Sequence, residues 1–304
     1  MERAVLAPVV LFVYNRPRHA ARTIEALAAN PSATASDLTV FSDAPKRPAD
    51  RKAVDDVRSL VRGIKGFKSV SVVEREANLG LAGSVIDGVT RVVNRCGKVI
   101  VLEDDLVVSP FFLEFMNRSL DFYEQEAKVI SVHGYVYPVD GPLPETFFLK
   151  GADCWGWATW KRGWDLFEPD GGRLLKELQD RGLVREFDWN GAYLFSEMLK
   201  RQIKGEDDSW AVRWHASAFL KGRLTLYPGH PLVRNIGADG SGTHVGRTDG
   251  YFGSLPATAP SITSIPIEAN ASAAKEIGKF FRRIRPSLPR RLWRRLTGRK
   301  GRAA

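Results

Sequence analysis

Short apolar runs alternate with helix-length segments through the first half of the chain. Residues 9–14, 38–41, 70–73, 99–102 and 129–132 are rich in Val, Leu, Ile and Phe and predict strands. Between them, 18–29 and 82–95 predict helices; in the second, Val85, Val89, Val92 and Val93 share one face. Ser109 and Pro110 predict an N-cap and first turn. Phe112, Phe115, Met116, Leu120 and Tyr123 then form the buried stripe of the helix that follows. Strands alternating with helices imply an α/β fold, a mostly parallel central sheet covered by helices.

Polar residues recur where these strands end. Asn15 and Arg16 follow the first run, Asp43 the second, Asn78 comes shortly after the third, and Glu103, Asp104 and Asp105 close the fourth. In open α/β sheets ligands gather outside the carboxyl ends of the strands, so these residues converge on one crevice. Each taken alone is also an ordinary turn residue. Three adjacent carboxylates repel one another and call for a cation. A divalent ion held by one or two of them and by substrate phosphates meets that need, with a nucleotide diphosphate as the natural guest.

The second half changes character. Seven of the eight Trp lie between positions 155 and 214, a density that predicts core for most of the rings and a sugar-facing role for one or two. Glycines at 237, 240, 242 and 246 suggest either a lid over a ligand or a loop without function. Residues 254–274 are rich in Pro, Ser, Ala and Thr and read as a linker after a domain of residues 1–253.

Net charge is +10, but residues 271–304 hold twelve Lys and Arg against Glu276 alone, so the remainder is close to neutral. A neutral body with a basic end does not fit a nucleic-acid-binding domain. Residues 275–304 interleave Phe280, Phe281, Ile284, Leu288, Leu292, Trp293 and Leu296 with arginines, the pattern of an amphipathic tail on an anionic membrane surface, or else of a solubilising tail. Two cysteines, no signal-peptide pattern and no run of about 18 apolar residues lead to the expectation of a cytoplasmic protein, peripheral at the inner face of the cell membrane.

The run Val-Leu-Glu-Asp-Asp-Leu-Val-Val-Ser-Pro-Phe-Phe-Leu-Glu-Phe (101–115), after Tyr-Asn-Arg-Pro (14–17) and Phe-Ser-Asp (41–43), resembles the GT-A nucleotide-sugar glycosyltransferases. The likeness is to the α-1,3-mannosyl-glycoprotein N-acetylglucosaminyltransferase family and its family-2-like bacterial relatives. Cys-Trp-Gly-Trp-Ala-Thr-Trp (154–160), Asp-Asp-Ser-Trp (207–210) and Ser-Gly-Thr-His (241–244) are similar to the bacterial branch, and the likeness spans about residues 8–248.

That resemblance implies a Rossmann-like GT-A fold in three α/β/α layers. It also implies a metal-dependent, inverting transfer of a sugar from a nucleotide donor, UDP-linked by preference, to a glycan or glycolipid in surface polysaccharide synthesis. Carried over by position, it gives Asp105 to Mn2+ or Mg2+, with His244 as a further metal or phosphate contact. Glu103 and Asp104 go to the ribose and base, Asp43 to the base edge and Arg16 to the diphosphate. Asn78 joins this donor-binding set as a strand-end residue. Asp208 becomes the general base on the acceptor hydroxyl, with Asp207 beside it as the alternative.

Two other readings compete. A nucleotidyltransferase making an activated sugar usually has a glycine-rich phosphate loop after the first strand, and residues 14–18 contain no glycine. A non-catalytic sugar-binding or scaffold protein would have no use for a second carboxylate pair far from the first.

Overall fold

A computed structural model describes residues 5–237, 255 and 258–284. Its strands are Val9–Val13 (β1), Asp37–Ser42 (β2), Ser69–Glu74 (β3), Lys98–Glu103 (β4), Leu106–Val108 (β5), Val129–His133 (β6), Thr146–Lys150 (β7), Trp157–Trp160 (β8), Leu224–Pro228 (β9) and Val233–Asn235 (β10). Its helices are Pro17–Ala28 (α1), Arg51–Arg62 (α2), Gly80–Cys96 (α3), Phe112–Phe122 (α4), Lys161–Trp164 (α5), Gly171–Asp180 (α6), Val184–Phe187 (α7), Phe195–Ile203 (α8), Trp210–Leu220 (α9) and Ala271–Ile284 (α10). Eight strands form the central sheet in the order β3-β2-β1-β4-β8-β6-β9-β7, and β5 pairs with β10 in a small second sheet.

Six of the eight central strands run the same way; β8 and β7 are antiparallel to their neighbours. Successive strand residues point to opposite faces, and the two faces build separate cores. Val9, Leu11 and Val13 of β1 and Ile100 and Leu102 of β4 pack with α1, α2 and α4. Val10, Phe12, Val99 and Val101 pack on the other face with α3 and α9. A strand buried on both sides needs apolar residues throughout, which is why these runs stand out in the sequence. The three-layer α/β/α fold with a mostly parallel sheet is therefore the observed one.

Ser109 and Pro110 precede α4 instead of forming its cap and first turn. Ser109 Oγ accepts the Phe111 N–H and the helix begins at Phe112. The expected stripe of α4 is buried throughout.

Residues 258–270, expected as linker, lie along the core. Ile262, Ile265 and Ile267 pack against it, Ala269 bridges Phe148 on edge strand β7, and the Thr263 carbonyl accepts from the Tyr123 hydroxyl. A covered edge strand cannot pair with another chain. Asn270 then accepts the Ala273 N–H through Oδ1 and starts α10. Phe280 and Phe281 of α10, assigned above to a membrane surface, are buried with Ile277 against Phe147, Leu149 and Tyr227. Their spacing marks an amphipathic helix, and here the protein is the apolar partner. Among the described residues no helix is long and apolar enough to cross a membrane.

Candidate active site at the carboxyl edge of the sheet

Strands β1, β2, β4 and β6 end on one edge of the sheet, and antiparallel β8 begins there, between β4 and β6. Glu103 is the last residue of β4; Asp104 and Asp105 make the turn into β5. Thr23 of α1 donates to the Asp104 carbonyl at 2.8 Å and holds that turn down.

The cation among these carboxylates is Arg16, which enters from the start of α1. Its Nη2 lies 2.6 Å from Asp104 Oδ1 and 2.8 Å from Asp105 Oδ2. Burial works against the charged guanidinium, but Asp104 and Asp105 outweigh it and hold the proton more tightly than usual. Burial, then Asp105 and Asp104, push the Glu103 carboxyl up to about 8 against the opposing pull of Arg16, so it carries a proton at neutral pH. Asp104 is also raised, by burial first.

Arg16 Nη1 is buried and has no hydrogen-bond partner among the described residues. Directly above it, Gly237 follows β10, and a Cβ there would collide with Asp105 Oδ2 and crowd Arg16 Nη1 at 3.0 Å. Glycine allows this close approach of backbone. Gly237 is the first of the glycines expected to form a lid; the rest, with His244, lie outside the described residues.

Asp43 is buried and anchors the start of α3. Its Oδ1 accepts from the Ala44 and Leu79 N–H groups and its Oδ2 from Gly80 N–H at 3.0 Å. Asn78 donates to the Ala44 carbonyl at 2.6 Å. These two residues, expected on the donor, therefore tie the β2 loop to the α3 loop. Gly80 has φ +70°, and a Cβ on it would lie 3.5 Å from Asp208 Oδ2, so the second carboxylate pair reaches the same crevice. The Asp208 side chain is 65% exposed and 3.9 Å from Arg213; Asp207 is 15% exposed and 3.9 Å from Arg201. Ser209 caps α9 directly behind them.

Between the two carboxylate groups lies a residue that the sequence did not reveal, Asp153. It sits in the loop that feeds β8, where Trp157 pairs with Val101 on one side and His133 on the other. Its Oδ2 accepts from the Tyr137 hydroxyl at 3.0 Å and its Oδ1 from the Cys154 N–H at 2.9 Å. His133 accepts the Trp155 N–H through Nε2 and turns Nδ1 toward Asp153 Oδ2 at 4.0 Å. Burial, only partly offset by Asp153, holds His133 neutral. Of the seven clustered Trp, 157, 160, 164, 210 and 214 are core, whereas Trp155 and Trp189 are half-buried.

The donor set fits a divalent ion in one way only. Among the described residues no three His, Cys, Asp or Glu side chains converge as a cage. An ion on Asp105 would take its remaining ligands from phosphate and water, as magnesium commonly does, and the open Nη1 of Arg16 beside it is a ready phosphate donor.

No family model matches the chain, and no curated protein matches it. Solved structures with a partial likeness include Staphylococcus aureus TarS, at 14% identity and TM-score 0.30, covering 48% of this chain and 24% of that one. UDP-glucose pyrophosphorylase complexed with UDP-glucose matches at 10% identity and TM-score 0.30, covering 53% of this chain and 79% of that one. The chain thus spans about a quarter of TarS. Likeness of this degree carries no argument about function.

Proposed function

We propose that this chain is a glycosyltransferase that moves a sugar from a nucleoside diphosphate, UDP by preference, to a hydroxyl of a glycan or glycolipid, with inversion. The observation that carries this reading is the buried Nη1 of Arg16, without a hydrogen-bond partner among the described residues and beside Asp105, at the strand edge where α/β folds bind nucleotides. A guanidinium with one nitrogen committed to carboxylates and the other open suits a phosphate oxygen. Asp105 would hold Mn2+ or Mg2+; when bound, the ion neutralises charge developing on the departing diphosphate.

Glu103, at the end of β4, faces the ribose, and Asp104 braces Arg16. Asp43 and Asn78 serve the donor by fixing the loops around it. On the far side of the crevice Asp208, the more exposed of its pair, takes the acceptor proton, which requires hydrogen-bond reach to that hydroxyl. The exposed Lys275, Lys279 and Arg282 of α10, continued by the basic residues of 285–304, suit an anionic lipid surface and would bring the enzyme to a lipid-linked acceptor.

Titration calorimetry with UDP in the presence of manganese tests the donor end. Binding by the wild type and its loss in Asp105→Ala are expected; undiminished affinity in the variant overturns the assignment. Slow manganese-dependent hydrolysis of UDP-sugars separates the readings. A transferase leaks hydrolysis, a scaffold does not, and a nucleotidyltransferase requires pyrophosphate.

A further inference from the structure

Asp153 has more donors than a surface carboxylate and more exposure than a structural one. It accepts from the Tyr137 hydroxyl at 3.0 Å and from the Cys154 N–H at 2.9 Å. Its side chain is nevertheless 24% exposed. A carboxylate offers about four acceptor positions. The two hydrogen bonds shown leave Asp153 able to accept from a further donor.

Its place in the crevice says which donor. The loop 151–156 leaves β8 directly beside the end of β4, so Asp153 neighbours the Glu103–Asp105 turn. The Cys154 thiol is raised by burial, then by Asp153, and also by Glu103 and Asp105. On the other flank, the Tyr193 hydroxyl is raised by burial, then by Asp153, with Arg201 opposing and Asp207 adding to the shift. Asp153 thus lies between the phosphate end of the crevice and the carboxylates of the base end, where the transferred ring must sit. Half-buried Tyr137 donates to it, half-buried Trp155 follows it by two residues, and half-buried Tyr193 packs with Tyr137 on Phe281. Aromatic faces that pack on C–H groups, around a carboxylate that accepts from hydroxyls, make a carbohydrate subsite.

We propose that Asp153 binds hydroxyls of the sugar being transferred, with Tyr137, Trp155 and Tyr193 as the wall against its ring. This rests on the nucleotide-sugar reading above and deepens it: Asp153 is the specificity-determining residue of the donor, and it makes no contact with the nucleotide.

Calorimetric titration of UDP and a panel of UDP-hexoses and UDP-N-acetylhexosamines, in manganese, tests it on the full chain. The wild type should bind at least one UDP-sugar more tightly than UDP. In Asp153→Asn the affinity for UDP should stay within about twofold while that sugar increment falls by about tenfold or more, the size of a lost hydrogen bond to a charged group. The retained UDP affinity of Asp153→Asn reports that the variant is folded. A wild type that binds UDP and every UDP-sugar equally, or an Asp153→Asn variant that keeps the sugar increment or loses UDP along with it, overturns the proposal. Absence of any nucleotide binding overturns the parent reading instead.

Discussion

Replacing Arg16 by Met removes the one cation that the described residues place between Asp104 and Asp105. Its Nη2 is 2.6 Å and 2.8 Å from the two carboxylates, with side chains 19%, 7% and 14% exposed for Arg16, Asp104 and Asp105. At an effective dielectric of about 20, charges about 4 Å apart attract by roughly 4 kcal/mol, and desolvation of the three groups takes back much of the sum. Truncating one partner of a buried set leaves the others uncompensated and costs about 3–5 kcal/mol. Partial access to water puts the expected loss at the lower end, about 3 kcal/mol.

The pH dependence has a definite sign. Without the guanidinium, burial, no longer opposed by Arg16, raises the folded-state pKa of Asp104 further above the unfolded value, so the penalty is full near neutral pH and shrinks as pH falls toward about 4. Urea unfolding in chelator near neutral pH and at about pH 5 reads both effects, and manganese should restore the variant more than the wild type. A loss below about 1 kcal/mol, or one that grows on acidification, refutes the claim that Arg16 is the counter-ion of this edge.

Asp208→Asn should retain donor binding and lose transfer by about 100-fold or more; near-normal turnover in a coupled assay moves the base to Asp207. Phe281→Ala should cost about 3–5 kcal/mol in chemical unfolding, because the ring is 2% exposed and meets Tyr137, Trp189 and Tyr193 at 4.8, 5.2 and 4.8 Å. A chain ended at Gly253 should therefore lose stability, and one ended after Ile284 should lose sedimentation with anionic vesicles. Arg47 first, and then the Tyr14 hydroxyl, lower Asp50 to about 2 against the effect of burial. Its stabilising contribution is present above the unfolded pKa near 4 and is lost as pH falls through about 2. Asp50→Asn should thus differ from wild type at neutral pH and converge with it in acid unfolding.

How much of this was legible in the sequence follows from burial. Parallel strands β1, β2 and β4 and their helices appear as apolar runs because each of these strands packs on both faces, whereas edge strand β3 is only partly buried. Strands β7 to β9, four or five residues each, lie in aromatic-rich text where no run has a length or period of its own. Helix α10 shows the opposite failure. Ala273, Ile277, Phe280 and Phe281 recur at helical spacing among lysines and arginines, and that pattern records a helix with one apolar side without recording whether protein or lipid covers it. Only the contacts of Phe281 with Tyr137 and Tyr193 decide it.

The candidate site divides along the same line. Glu103, Asp104 and Asp105 were conspicuous because they interrupt an apolar strand, and Arg16 because it follows one. Asp153 gave no such signal, since it precedes an antiparallel strand and its neighbours Tyr137 and His133 come from a distant segment at the end of β6. Tyr137 links that carboxylate to α10, donating to Asp153 while its ring packs on Phe281. The C-terminal helix is thereby part of the wall of the crevice. A substitution at Phe281 that leaves the protein folded should disturb sugar recognition before it disturbs nucleotide binding, because the helix supports Tyr137 and Tyr193 and stands apart from Arg16 and Asp105.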